Sequence, residues 1–161
     1  MTTFIGIDPG LTGAVAAIRE DNSIRFYDTP TGQIGKKTVL SPAGMREIFM
    51  NEGPYDLTIN VAIEAVHSMP KQGVASSFSF GKGVGLWLGI LAGLQIPYTE
   101  VPPQRWKALM MHGMGKDKDA SRIRAMQLFP QVASELKLKK HHGRADALLL
   151  AEYLRKTTLQ R

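Results

Sequence analysis

Three short apolar runs crowd the start of the chain, and the turns between them leave no room for a crossover. Phe4–Asp8 ends at Pro9-Gly10, with Thr12-Gly13 just beyond. Residues 13–18 (GAVAAI) form the second run, Glu20-Asp21-Asn22 reverses the chain again, and Ile24–Tyr27 is the third. Pro, Gly, Asn and Asp in such clusters are turn chemistry. Strands joined this tightly pair antiparallel, because parallel neighbours need a connection of about a dozen residues or more. The chain therefore opens on a three-stranded antiparallel meander.

Beyond the meander, helix and strand alternate. Residues 29–40 read as a polar loop. Ser41 and Pro42 then mark a helix start, serine as cap and proline in the first turn, running to about Asn51 and stopping before Gly53-Pro54. Residues 57–63 (LTINVAI) are a buried strand ending at Glu64, and 66–73 (VHSMPKQG) a loop. Residues 74–95 read as one long helix. Pro97–Val101 is a short strand closed by Pro102-Pro103, and Gln104–Met111 a short helix. Residues 112–118 are a loop, Asp119–Phe129 a helix stopped by Pro130, and Arg144–Lys156 an amphipathic last helix. Residues 131–142 carry no clear period. The class is α/β, with a mixed sheet of meander plus parallel strands flanked by helices. The 161 residues suit one domain over 1–161.

Composition bounds the function. Lys and Arg number 20 against 14 Asp and Glu, a net +6, and there is no cysteine. A disulfide scaffold and cysteine metal knuckles are excluded. The charge is uneven. Residues 1–100 hold 7 basic and 9 acidic side chains, net −2, while 101–161 hold 13 and 5, net +8. A basic portion of this kind suits a polyanion. The most apolar run, Val84–Ile96, is shorter than the ~20 residues of a bilayer span. No leader pattern opens the chain, so a cytoplasmic protein with no membrane partner is expected.

Within the long helix, Gly81, Gly85, Gly89 and Gly93 recur every four residues and so stack on one face. Each costs about 1 kcal/mol of helix propensity against alanine. Close approach of another element offsets that. It is either an internal helix-on-sheet contact or a dimer interface.

Three acids occupy unusual places. Asp8 and Glu64 each follow an apolar strand, and Asp146 lies near the start of the last helix between two alanines. A carboxylate against a buried element is costly unless paired or metal-bound. Strand ends are where open sheets place ligands. Singly, each acid could be a turn cap, an ion-pair partner or a helix-dipole charge. Jointly they are hard oxygen ligands suited to Mg²⁺ or Mn²⁺.

Together, Ile5-Gly6-Ile7-Asp8-Pro9-Gly10-Leu11-Thr12-Gly13, Ala62-Ile63-Glu64 and Gly143-Arg144-Ala145-Asp146-Ala147-Leu148 resemble the RuvC family of Holliday junction resolvases, over essentially the whole chain. The resemblance implies an RNase H-like fold and a homodimeric endonuclease cutting four-way DNA junctions symmetrically, with two Mg²⁺ ions per site and Mn²⁺ able to substitute. It makes Asp8, Glu64 and Asp146 the acidic ligands. The family's fourth ligand, usually an aspartate, falls near position 143, which is glycine here. His142 is the best match, binding metal or handling a proton. Lys118 matches the family's catalytic lysine, with Lys116 second. Lys71 and Gln72 fall in the loop that meets the junction centre. Lys82, Arg105, Lys107, Lys116, Lys139, Lys140 and Arg144 are expected phosphate contacts. The glycine face is expected at the dimer interface. Whether branch-migration machinery is a partner is not indicated. The same acids would also serve a nuclease for other branched DNA or RNA–DNA hybrids, and the basic region alone a module that binds junctions without cutting. An actin-like ATPase, whose first motif looks similar, needs a second domain for which there is no room.

Overall fold

The computed structural model describes residues 2–53, 58–66 and 73–160. The meander is present as β1 (Thr2–Asp8), β2 (Ala14–Arg19) and β3 (Ile24–Asp28), with Ile5 opposite Ala17 and Ala16 opposite Phe26. A hairpin of β4 (Thr31–Ile34) and β5 (Lys37–Leu40) leads to α1 (Pro42–Glu52), capped by the Ser41 hydroxyl. Then come β6 (Thr58–Glu64), α2 (Val74–Gly93), β7 (Tyr98–Val101), α3 (Pro103–Met110), α4 (Ala120–Leu128) and α5 (His142–Leu159). The main sheet runs β3-β2-β1-β6-β7, with β6 parallel to β1 and β7 parallel to β6.

Alternating side chains supply the two faces, as the strand period requires. Ile5, Ile7, Val15, Ala17, Val61 and Ile63 pack with α1 and α2. Ala14, Ala16, Ile18 and Ala62 pack with α3, α4 and α5. Burial on both sides explains why these strands read as continuous apolar runs. α5 lies hard against β1 at Gly6. A Cβ there would stand 2.1 Å from the Ala147 carbonyl oxygen and 2.6 Å from the Ala151 nitrogen. That contact fixes where the start of α5 meets the end of β1.

Three expectations need revision. Residues 29–40 are not simply a loop. They hold the β4–β5 hairpin, a separate two-stranded sheet turning at Gly35 with φ of 60°. Most of its side chains are exposed, so no apolar alternation betrays it. Its base is tied to the β1–β2 turn, where the Thr29 hydroxyl donates to the Gly10 carbonyl at 3.1 Å. Residues 131–142 contain two short 3₁₀ turns, Pro130–Glu135 and Lys139–His141, before α5 begins at His142. The buried Arg122 guanidinium gathers them, donating to the Leu136 and Lys137 carbonyls at 3.1 and 2.7 Å.

The third concerns α2. Counted from its first turn, the helix has 20 residues and is by length and composition apolar enough to cross a membrane, which the run 84–96 alone is not. Yet Trp87 and Leu91 are buried with Phe49 of α1 in the core, and Gly83 faces Leu40. This side of α2 is part of the fold. The periodic glycines are on the other side. Among the described residues, a Cβ at Gly81, Gly85, Gly89 or Gly93 would meet nothing within 4 Å. The internal helix-on-sheet contact is thereby excluded for all four. Gly83, outside the four-residue period, is the glycine of this helix that packs internally.

Candidate active site

Parallel pairing of β1 with β6 sets Ile7 opposite Ile63, so the next residues, Asp8 and Glu64, leave the sheet side by side. The close crossing at Gly6 delivers Asp146 from above. The electrostatics follow from this proximity. Asp8 is pushed up from 3.8 to about 6, chiefly by burial, with Asp146 and Glu64 adding repulsion and the Gly10 amide opposing it. That amide donates to Asp8 Oδ1 at 3.2 Å. Burial and the Asp146 charge also raise Glu64, against the Trp106 indole and Lys107. Burial raises Asp146, against Ser121, Lys107 and His142.

These groups fit a divalent cation in their chemistry. They are hard oxygen donors held in mutual repulsion, and Asp146 Oδ1 is buried with no hydrogen-bond partner among the described residues. The cluster is open, however. Among the described residues, no three His, Asp or Glu side chains close around one point.

Beside the acids lies a cavity of about 540 Å³, lined by Lys107, Asp117, Lys118, Asp119, Ser121, Lys139, His142 and Asp146. Lys118 lines it and Lys116 does not. His142 is exposed at the start of α5, with Nδ1 3.4 Å from the Lys139 carbonyl. The neighbouring Gly143 has a steric reason. A Cβ there would come within 2.9 Å of the Thr12 carbonyl oxygen and 3.0 Å of Gly13 Cα. The start of α5 is seated on the β1–β2 turn, and no side chain fits at 143.

Of the expected phosphate contacts, Lys82, Arg105, Lys116, Lys139 and Lys140 have exposed side chains. Arg144 does not present a free guanidinium. It is held by Asp28 in a bidentate pair, at 2.6 and 2.8 Å, and by the Glu135 carbonyl. Lys71 and Gln72 lie outside the described residues. Two residues do more than their sequence position suggested. Lys107, expected only as a phosphate contact, faces Glu64 and Asp146. Trp106 is fully buried and donates Nε1–H to Glu64 Oε1 at 2.9 Å. The sole sequence signal for either was their place between the last strand and the basic loop.

Fold and site together define an RNase H-like domain with carboxylates gathered at the ends of adjacent parallel strands. In fold the chain is similar to RuvC. Thermus thermophilus RuvC superposes with a TM-score of 0.57 at 19% identity, over 97% of this chain and 96% of that one. The same protein in complex with a Holliday junction substrate gives 0.60 at 16% identity, over 98% and 96%. In sequence, the chain is 33% identical over 137 residues to the chloroplastic Holliday junction resolvase MOC1 of Chlamydomonas reinhardtii. That match covers 78% of this chain and spans only 15% of the length of the relative. No family model matches the sequence.

Proposed function

We propose that the chain is a Holliday junction resolvase, a metal-dependent endodeoxyribonuclease that cuts two strands of a four-way DNA junction symmetrically. The observation that carries this is the meeting of Asp8, Glu64 and Asp146 at one end of the sheet, with Lys107 and Lys118 facing the same space. Support comes from the likeness to a junction-bound RuvC and to a resolvase in sequence.

Asp8, Glu64 and Asp146 would hold the cations, with His142 at the mouth. Two Mg²⁺ ions, or Mn²⁺ in their place, would supply an activated water and stabilisation of the leaving oxygen. The protein's own share is electrostatic. Acids alone repel phosphate. Lys107 and Lys118 offset that repulsion and place ammonium groups near charge that develops on the phosphoryl oxygens. The Gly10 amide keeps one Asp8 oxygen turned toward the strand end. Lys139 continues the basic lining outward, and phosphate contacts of this sort make binding fall steeply with salt.

Symmetrical cutting needs two sites at a fixed separation, which a twofold dimer gives. The outward face of α2 suits that contact. Val74 and Phe78 are 88% and 75% exposed, and the four glycines leave its surface flat enough for helix backbones to approach. The relative's chloroplastic designation sets an organellar location beside the cytoplasmic one expected from sequence.

The deciding experiment is Mg²⁺-dependent cleavage of a synthetic four-way junction with product mapping. Paired, religatable nicks at symmetrical positions are expected. Equal cutting of junctions, flaps, RNA–DNA hybrids and linear duplex would overturn the assignment in favour of a general nuclease. Junction binding with no cutting would leave a binding module.

A further inference from the structure

The Trp106–Glu64 contact joins residues 42 positions apart, from α3 to the end of β6. The indole is fully buried among Ala62, Val101, Ala125 and Leu148. Packing alone does not explain its N–H. The other tryptophan, Trp87, is equally buried and leaves Nε1 unpartnered among the described residues, so an apolar ring is tolerated in this core without a hydrogen bond. At Trp106 the N–H instead meets a carboxylate at the end of β6. An indole is a donor only, so it can hold the charged acceptor and cannot exchange roles with it. It takes one oxygen, Oε1, and no described residue donates to the other. The same ring carries Lys107, whose Nζ lies 5.1 Å from the ring centroid, within cation–π range. One rigid group therefore touches both a carboxylate of the site and the lysine that faces it.

We propose that Trp106 is a positioning residue that fixes the rotation of the Glu64 carboxylate, leaving Oε2 for a cation, and seats Lys107 over its ring toward the same site. The role given to Glu64 rests on the nuclease reading above; the contact does not. Partners that orient a metal ligand typically change affinity or activity by about 10–100-fold when removed.

The test uses the full chain without DNA. With two tryptophans in the protein, the ¹⁵N-labelled indole spectrum has two N–H signals, assigned with Trp87→Phe. Titration with Mg²⁺ should move the Trp106 signal and leave that of Trp87 in place, and Glu64→Gln should remove the response. Trp106→Phe keeps an aromatic ring and loses the donor. Its half-saturating Mg²⁺ for junction cleavage should rise about tenfold, with junction binding in Ca²⁺ unchanged. An indole signal indifferent to Mg²⁺, or a Trp106→Phe enzyme with the wild-type Mg²⁺ requirement, would overturn the proposal. Should Trp106→Phe fail to fold, the wild-type titration decides alone. Should the wild type cut no junction, the nuclease reading falls, and the indole titration still decides whether Trp106 senses a cation at Glu64.

Discussion

Asp8 offers the sharpest quantitative test, because its substitution should make the metal-free protein more stable while destroying its activity. Its carboxyl is raised from 3.8 to about 6, mostly by burial and further by Asp146 and Glu64. An acid with a higher pKa in the folded state keeps its proton longer there. The folded state is therefore favoured most at low pH. As pH climbs from about 4 to about 6, the unfolded chain ionises and the folded one does not, and stability drains away. Above about 6 the loss is complete. A difference of this size corresponds to about 3 kcal/mol. Glu64 and Asp146, also raised, act with the same sign.

Asp8→Asn keeps the shape and keeps an oxygen for the Gly10 amide, now 3.2 Å from Oδ1, but cannot ionise. In EDTA at pH 8 the variant should be more stable than the wild type by about 3 kcal/mol, which is about 6–12 °C in Tm for a chain of this size. Near pH 4 the two should converge. Magnesium should reverse the order. A cation that binds only the folded wild type adds about 2.7 kcal/mol at a hundredfold excess over its Kd, and the variant should gain little. Cleavage should be abolished, with junction binding in Ca²⁺ retained. Urea denaturation at pH 4 and pH 8, with and without Mg²⁺, measures every part of this. A variant no more stable than wild type at pH 8 in EDTA would refute the account of a strained carboxylate cluster.

Single contacts supply the other predictions. Gly143→Asp, which places an acid where the resemblance to RuvC led one to be expected, should not add a ligand. Its Cβ would press to 2.9 Å from the Thr12 carbonyl oxygen, and thermal unfolding should show a loss of about 1–3 kcal/mol, as for overpacked sites. Lys107→Met should lower kcat about 10²-fold or more, the scale for removing one donor from a site of developing charge. Lys116→Met, outside the cavity, should leave kcat within about twofold of wild type on that same scale, and single-turnover kinetics on a junction would separate the two. Gly89→Leu, on the open face of α2, should turn dimer to monomer in sedimentation equilibrium with no drop in monomer Tm.

The proximity of the three acids is legible in the sequence because each carries a local mark. Asp8 and Glu64 each end an apolar strand, and β-sheet register then does the rest: once β1 and β6 pair in parallel, the residues after Ile7 and Ile63 must be neighbours. What escaped depends on contacts between distant segments. No pattern near Gly143 tells that Thr12 lies against it, so a steric necessity looked like a missing ligand. Lys107 sits in a helix of 8 residues, too short for a period to show which side faces the acids, and it was grouped with surface bases. For Trp106 too the helix is short, and beside Arg105 and Lys107 no sequence pattern separates a buried ring from a DNA-stacking one. The glycines of α2 show the limit from the other side. Their spacing correctly gave one shared face, yet helical periodicity defines a face without saying what covers it. The answer came from Gly83, which breaks the spacing and is the one pressed against Leu40. The inner side of α2 has its own close-packed glycine, so packing on the sheet does not account for the four on the outer side, which the described residues leave uncovered, and Gly89→Leu tests whether a second protein surface covers them.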